Sequence, residues 1–184
     1  MAGALARGGA SLTQHSDAPC GTLTLEDDAW PGLADLFVPG ERSSPNERTV
    51  HMDTDAGAIK NVLREYARCC NGGDFDGWIS LWAENGVQMP PDAPSRVGTA
   101  EIRAGMKPAF DTMNLNVVIR QIDEVRVNGD RALSRCTYSL SMTPKAGGQT
   151  IEAMPDGKAL TLYEKQADTW QITYDCFNSN IPPK

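Results

Sequence analysis

Residues 116–143 read NVVIRQIDEVRVNGDRALSRCTYSLSMT, two runs rich in β-branched and apolar residues that meet at Asn128-Gly129, a dipeptide suited to a hairpin turn of the I′ type. An isolated hairpin is marginal in water, so this one needs further strands or helices against its apolar face. Downstream, KAGGQTIEAMPDGK (145–158) reads as a long connection. ALTLYEKQADTWQITYDCFN (159–178) then supplies a second strand pair that turns around Ala167 to Thr169. The four runs make an antiparallel meander.

Upstream the period changes to that of helices. In DTDAGAIKNVLREYARCCNGGD (53–74), Ile59, Val62, Leu63, Tyr66 and Cys70 recur at spacings of three and four, behind an Asp/Thr cap and ahead of Gly72-Gly73. DFDGWISLWAENG (74–86) predicts a second helix, capped by Asp74 and carrying Phe75, Trp78, Ile79, Leu81 and Trp82. VQMPP (87–91) is a short strand ended by two prolines, and DAPSRVG (92–98) is a loop. TAEIRAGMKPAFDTM (99–113) predicts a third helix with Thr99 as its cap, Ile102, Met106 and Phe110 on one face, and Pro108 limiting its end. Helices followed by a run of strands give an α+β fold, with the three N-terminal helices packed on one face of a curved, mostly antiparallel sheet.

Residues 1–53 differ in composition, being rich in Gly, Pro, Ser and acidic residues, with one apolar island at 29–38 (AWPGLADLFV). They read as an extension whose island docks on the domain or on a partner, with residues 54–184 as the domain proper. His51-Met52 reads as an alternative start or a cloning junction. The chain has 184 residues and a formal charge of −7, and no basic stripe stands out, which argues against nucleic-acid or anionic-membrane partners. Neither a signal-peptide core nor a membrane-length apolar run occurs, and a cytoplasmic location is expected. The five cysteines (Cys20, Cys69, Cys70, Cys136, Cys176) lack CxxC spacing, so neither a disulfide framework nor a zinc site is suggested. Both histidines, His15 and His51, precede the domain. Proton chemistry inside it must therefore use Asp, Glu, Tyr, Lys or Cys rather than a His-containing triad, and no His-based metal site or other cofactor is expected.

The segments LREYARCCNGGDFDGWISLWAENG, TYSLSMTPKAGG and GKALTLYEKQADTWQITYDCFNSNIPP resemble the nuclear-transport-factor-2-like superfamily, a cone-shaped α+β fold that includes ketosteroid isomerase, SnoaL-like polyketide cyclases, scytalone dehydratase and limonene epoxide hydrolase. The similarity is greatest to its ketosteroid-isomerase homologues. Ketosteroid isomerase uses a base Asp, a Tyr and a protonated Asp. Tyr66, eight residues before Asp74, stands where the resemblance puts the Tyr. The base position falls on Pro90, with Asp92 two residues later, and the protonated-Asp position falls on Leu162, with Glu164 on the same face. Two of the three positions therefore differ. The resemblance further implies that Trp82, Met106, Phe110, Arg135, Thr137, Asp175 and Phe177 face the interior of the cone, and that two copies dimerise through the outer sheet face, with Thr161 and Tyr163 as contacts and the 29–38 island bracing them.

Asp175 and Phe177 share a strand face, as do Arg135 and Thr137. An unpaired charge in an apolar cone is costly, so Arg135 and Asp175 are expected to pair. The pair is either a silent salt bridge or the centre of a site with Asp175 as acid or base, Arg135 as its tuner and Tyr66 as a second proton donor. A water-activating Asp-Arg-Asp set would need Asp123 or Glu164 as its third member. Gln88 and Asn178 are candidate polar anchors. The expected function is cofactor-independent proton transfer on a small apolar organic molecule. The alternative is a non-catalytic ligand-binding or dimerisation domain.

Overall fold

The computed structural model describes residues 45–182, with side chains from Thr54 onward. The island at 29–38, Cys20 and His15 lie outside the described residues. Helix α1 spans Pro45–Gly72, α2 Phe75–Ser80 and α3 Gly98–Thr112. The strands are β1 (Trp82–Met89), β2 (Arg96–Val97), β3 (Met113–Asn128), β4 (Arg131–Pro144), β5 (Ile151–Gln166) and β6 (Thr169–Ser179). They form one sheet in the order β2-β1-β6-β5-β4-β3. The meander β3 to β6 is antiparallel, as the alternation predicts, whereas β1 joins β6 in parallel.

Helix α1 begins at Pro45 rather than behind the Asp53-Thr54 cap. Proline at a first helical position loses no hydrogen bond, and a mid-helix Asp-Thr pair does not stop a helix that can continue past it. At its far end Gly73 takes φ 67°, which ends the helix, and Asp74 caps α2 by accepting a hydrogen bond from Gly77 N at 2.9 Å. Helix α2 is shorter than the sequence pattern predicts. It closes at Ser80, and Trp82 already starts β1, because Leu81 O accepts from Ile172 N and so docks the chain onto β6. Trp82 packs on Trp78 at 5.5 Å, with Phe75 and Phe110 alongside. Aromatic pairs of this kind add about 0.5–1.5 kcal/mol beyond the area they bury.

Other boundaries also differ from expectation. Arg96-Val97 forms a strand, not a loop. The cap of α3 is Val97, whose N–H donates to Glu101 at 2.8 Å, rather than Thr99. Pro108 sits inside α3, which runs four residues beyond it. At the first hairpin only Gly129 has positive φ, the pattern of a II′ turn on Gly129-Asp130, while the non-glycine pair Ala167 and Asp168 takes positive φ at both positions. Strand β5 starts at Ile151, within the expected connection. Pro155 and Gly157 are accommodated at register shifts against β4, and Arg120 donates to the Pro155 carbonyl.

One irregularity positions the site. Along β5 and β6 the pairing runs regularly from Gly157↔Ser179 to Leu162↔Tyr174, then jumps to Tyr163↔Ile172, leaving Thr173 as an extra residue. This bulge reverses the alternation of β6, so that Ile172, Asp175 and Phe177 face the same side, toward α1 and α3. No helix among the described residues is long and apolar enough to cross a membrane.

Candidate active site

A cavity of about 220 Å³ lies between α1, α3 and the inner face of the sheet. Its lining is mainly apolar, from side chains such as Val62, Met106, Leu115, Leu140 and Phe177. The polar exceptions are Tyr66, Gln88, Arg96, Tyr138, Thr161 and Asp175.

Asp175 is 5% exposed. Among the described residues no cation stands within ion-pair distance of it, and its one hydrogen-bond donor is the Thr161 hydroxyl, 3.1 Å from Oδ1. Thr161 is its cross-strand neighbour on β5. Burial pushes the Asp175 carboxyl up to about 6, with the Thr161 hydrogen bond pulling in the other direction. Near neutral pH the group is therefore mainly a carboxylate, yet an avid proton acceptor. The Tyr66 phenol is held well above its ordinary value, first by burial and next by the charge of Asp175, and Tyr138 is raised by the same two causes. Both phenols stay protonated and can donate hydrogen bonds. Cys70 and Cys136 also line the cavity, and burial pushes them up to about 12 and about 11. They serve as small apolar wall rather than as nucleophiles.

At the sheet edge, Gln88 pairs in register with Arg96 on β2 and with Asp175 on β6. Arg96 donates to Gln88 Oε1 at 2.6 Å. Its side chain lies across Gly105 of α3, where a Cβ would come within 2.3 Å of Arg96 Nε. The missing side chain at Gly105 leaves the room in which Arg96 lies.

Of the residues singled out from sequence, Tyr66, Gln88, Met106, Asp175 and Phe177 meet in the cavity. Trp82 and Phe110 are buried in the aromatic core behind it. The expected Arg135–Asp175 pair does not form. The inner face of β4 carries Ala132, Ser134, Cys136 and Tyr138, so Arg135 and Thr137 point the other way. Arg135 contacts Asp123 at 3.3 Å and Glu124 at 3.8 Å on the outer face, where Thr137, Lys158 and Asn178 line a second groove. Leu162, in register with Leu133 and Tyr174, lies on the face opposite Thr161. Thr161 and Tyr163 are not outer-face contacts: they are 3% and 1% exposed, and Tyr163 shares a 2.8 Å hydrogen bond with Ser134. Glu164 lies within 3.6 Å of Arg131, and Asp92 is exposed, so neither supplies a second acid to Asp175. The sequence reading missed Arg96 and Tyr138. Arg96 lay in an assumed loop, and Tyr138 on the strand face assigned to the exterior.

The family model of the SnoaL-like domain matches residues 53–174. No curated protein matches the chain significantly. Among solved structures, a ketosteroid isomerase-like protein from Erwinia carotovora atroseptica is 25% identical, with a TM-score of 0.58, and covers 70% of this chain and 98% of its own. A proposed dehydratase of the NTF2-like family from Streptomyces avermitilis is 18% identical with a TM-score of 0.63, covering 71% and 99%. A nuclear transport factor 2-like superfamily protein from Salmonella enterica serovar Typhimurium is 14% identical with a TM-score of 0.62, covering 72% and 95%.

Proposed function

The chain belongs to the SnoaL-like domain family within the nuclear-transport-factor-2-like superfamily, and from that premise we propose that it is a cofactor-independent enzyme that moves a proton on a small apolar molecule with a polyketide, terpenoid or steroid-like skeleton. The observation that carries this reading is Asp175. It is a buried carboxyl, free of any cation among the described residues, raised to about 6 and facing an apolar cavity beside protonated phenols. A base of that strength in a dry site suits removal of a proton from carbon, and Tyr66 and Tyr138 can stabilise the oxyanion that develops. Isomerisation, cyclisation and dehydration all share this step.

The test is a panel of enones, epoxides and hydroxylated polyketides offered to the wild type and to Asp175→Asn. Turnover by the wild type that falls by roughly 10²–10⁴ in the variant supports the reading; equal turnover by both proteins excludes Asp175 as the base. Ligand binding without turnover would favour a binding domain instead. We infer further that two copies pair through the outer sheet face, where Val118 and Leu160 are 46% exposed. Sedimentation of the wild type against a Leu160→Glu variant checks this, and a monomeric wild type would refute it.

A further inference from the structure

Gln88 is fully buried at 0% exposure, lines the cavity, and stands in register beside Asp175. Its amide orientation is dictated by Arg96. A guanidinium only donates, so the atom it meets at 2.6 Å must be the amide oxygen, and the NH₂ group is left over. That nitrogen has no hydrogen-bond partner among the described residues. A buried donor without an acceptor is destabilising, a penalty that an incoming acceptor removes. The protein's own nearby acceptor, Asp175, takes its hydrogen bond from Thr161 instead.

We propose that Gln88 Nε2 is the carbonyl-binding donor of this cavity, and that the ligand is an apolar ketone or enone whose oxygen docks there beside Asp175; what Asp175 then does rests on the proton-transfer reading. A ligand carboxylate would set a second negative charge beside Asp175 in an apolar space, with Arg96 already engaged, so a neutral acceptor fits better. The Arg96 hydrogen bond polarises the amide and strengthens its free N–H as a donor. In the reaction, the Asp175 carboxylate takes the proton on the carbon next to the carbonyl. The C–H pair becomes the C=C bond, and the carbonyl π pair moves onto oxygen as an enolate held by Gln88 and a phenol. The proton then returns from Asp175 to carbon, regenerating both the carbonyl and the carboxylate.

The cavity, at about 220 Å³, is smaller than sites for drug-sized ligands, roughly 300–1,000 Å³, which suggests a bicyclic probe. β-Tetralone and its hydrocarbon counterpart tetralin would be titrated by NMR into the wild type, Gln88→Leu and Gln88→Glu. Glu keeps an acceptor for Arg96 but removes the donor, so it serves if the leucine variant folds poorly. The wild type should prefer the ketone by about tenfold, and a carbonyl-¹³C label should move downfield on binding. Both variants should lose the preference while keeping their tetralin affinity. Equal binding of ketone and hydrocarbon by the wild type, a preference that survives both substitutions, or failure of both probes to bind would overturn the assignment. Deuterium exchange at the α carbon of β-tetralone in D₂O, compared between wild type and Asp175→Asn, separates the two claims. A ketone preference without Asp175-dependent exchange leaves the carbonyl site standing and sinks the proton-transfer reading. Exchange without preference does the reverse.

Discussion

On the inner face of the sheet, the buried carboxyl of Asp175 has a threonine hydroxyl as its hydrogen-bond partner; on the outer face, Asp123, its side chain 14% exposed, has the guanidinium of Arg135. Both are acids on one continuous sheet, and they differ in company more than in burial. A cation beside an acid offsets its charge. A hydroxyl alone compensates burial only in part, leaving an acid that binds protons above its ordinary range. Had Arg135 faced inward, as the sequence suggested, Asp175 would have been a spent ion pair. The separation of the two leaves the inner acid without a cation among the described residues.

The largest test of this contrast is Asp175→Asn, which should abolish nearly all turnover and also stabilise the protein above pH 6. The folded-state value of about 6 lies above the ordinary 3.8, so the native protein holds this proton more tightly than the unfolded chain. The contribution of Asp175 to stability is therefore greatest below about pH 4 and declines as pH rises through about 6, by about 3 kcal/mol in all. Urea titrations across that window should show the decline in the wild type and a flatter profile in the variant. Next in size is Gly105→Ala. Its new methyl would displace Arg96 and free the Gln88 amide to turn, lowering ketone affinity by about tenfold with little change in overall stability, because alanine favours the helix by up to ~1 kcal/mol. Binding of β-tetralone together with a melting curve distinguishes that result from general damage.

Thr161→Val should act more mildly. Removing the hydroxyl takes away the one hydrogen bond that lowers the Asp175 value, so the acidic limb of the pH–rate profile should move to higher pH and turnover at pH 7 should fall several-fold. An unmoved profile would mean that the hydroxyl does not act on the carboxylate. Smallest of all is Arg135→Ala. The side chain is 54% exposed, and ion pairs at such sites are worth about 0–1 kcal/mol. Turnover should be unchanged, and a loss comparable to that of Asp175→Asn would collapse the distinction between the two faces.

The helices and the meander could be read from the chain because their apolar residues recur at the right periods, as Ile59, Leu63 and Cys70 do on α1. Strand β4 could not be assigned a face in the same way. Its inner side carries Ala132, Ser134, Cys136 and Tyr138 while Leu133 faces out, so hydrophobicity gave no clear vote on which side Arg135 took. From sequence, β5 reads as starting only at Ala159, because Pro155 and Gly157 look like loop residues, and in isolation they would be. Pairing with β4 at a register shift is information that resides in another part of the chain. Asp175 and Phe177 share a face in the sequence and line the same cavity, because neighbours two apart share a face under any register. Gln88 reads from sequence as a candidate polar anchor, but its free amide donor becomes distinctive only once Arg96 and Gly105 are folded around it.

The unpaired Thr173 gives the chemistry of this cavity an unusual dependence: it is specified by counting as much as by residue type. Were β6 to alternate regularly through Thr173, without the bulge, Tyr174 would fall in phase with Trp170 and Ile172 and Asp175 would turn outward with no side chain altered. An acid in the cavity wall would be exchanged for a phenol. The direction of this one acid thus depends on β6 absorbing a single residue as a bulge at its middle.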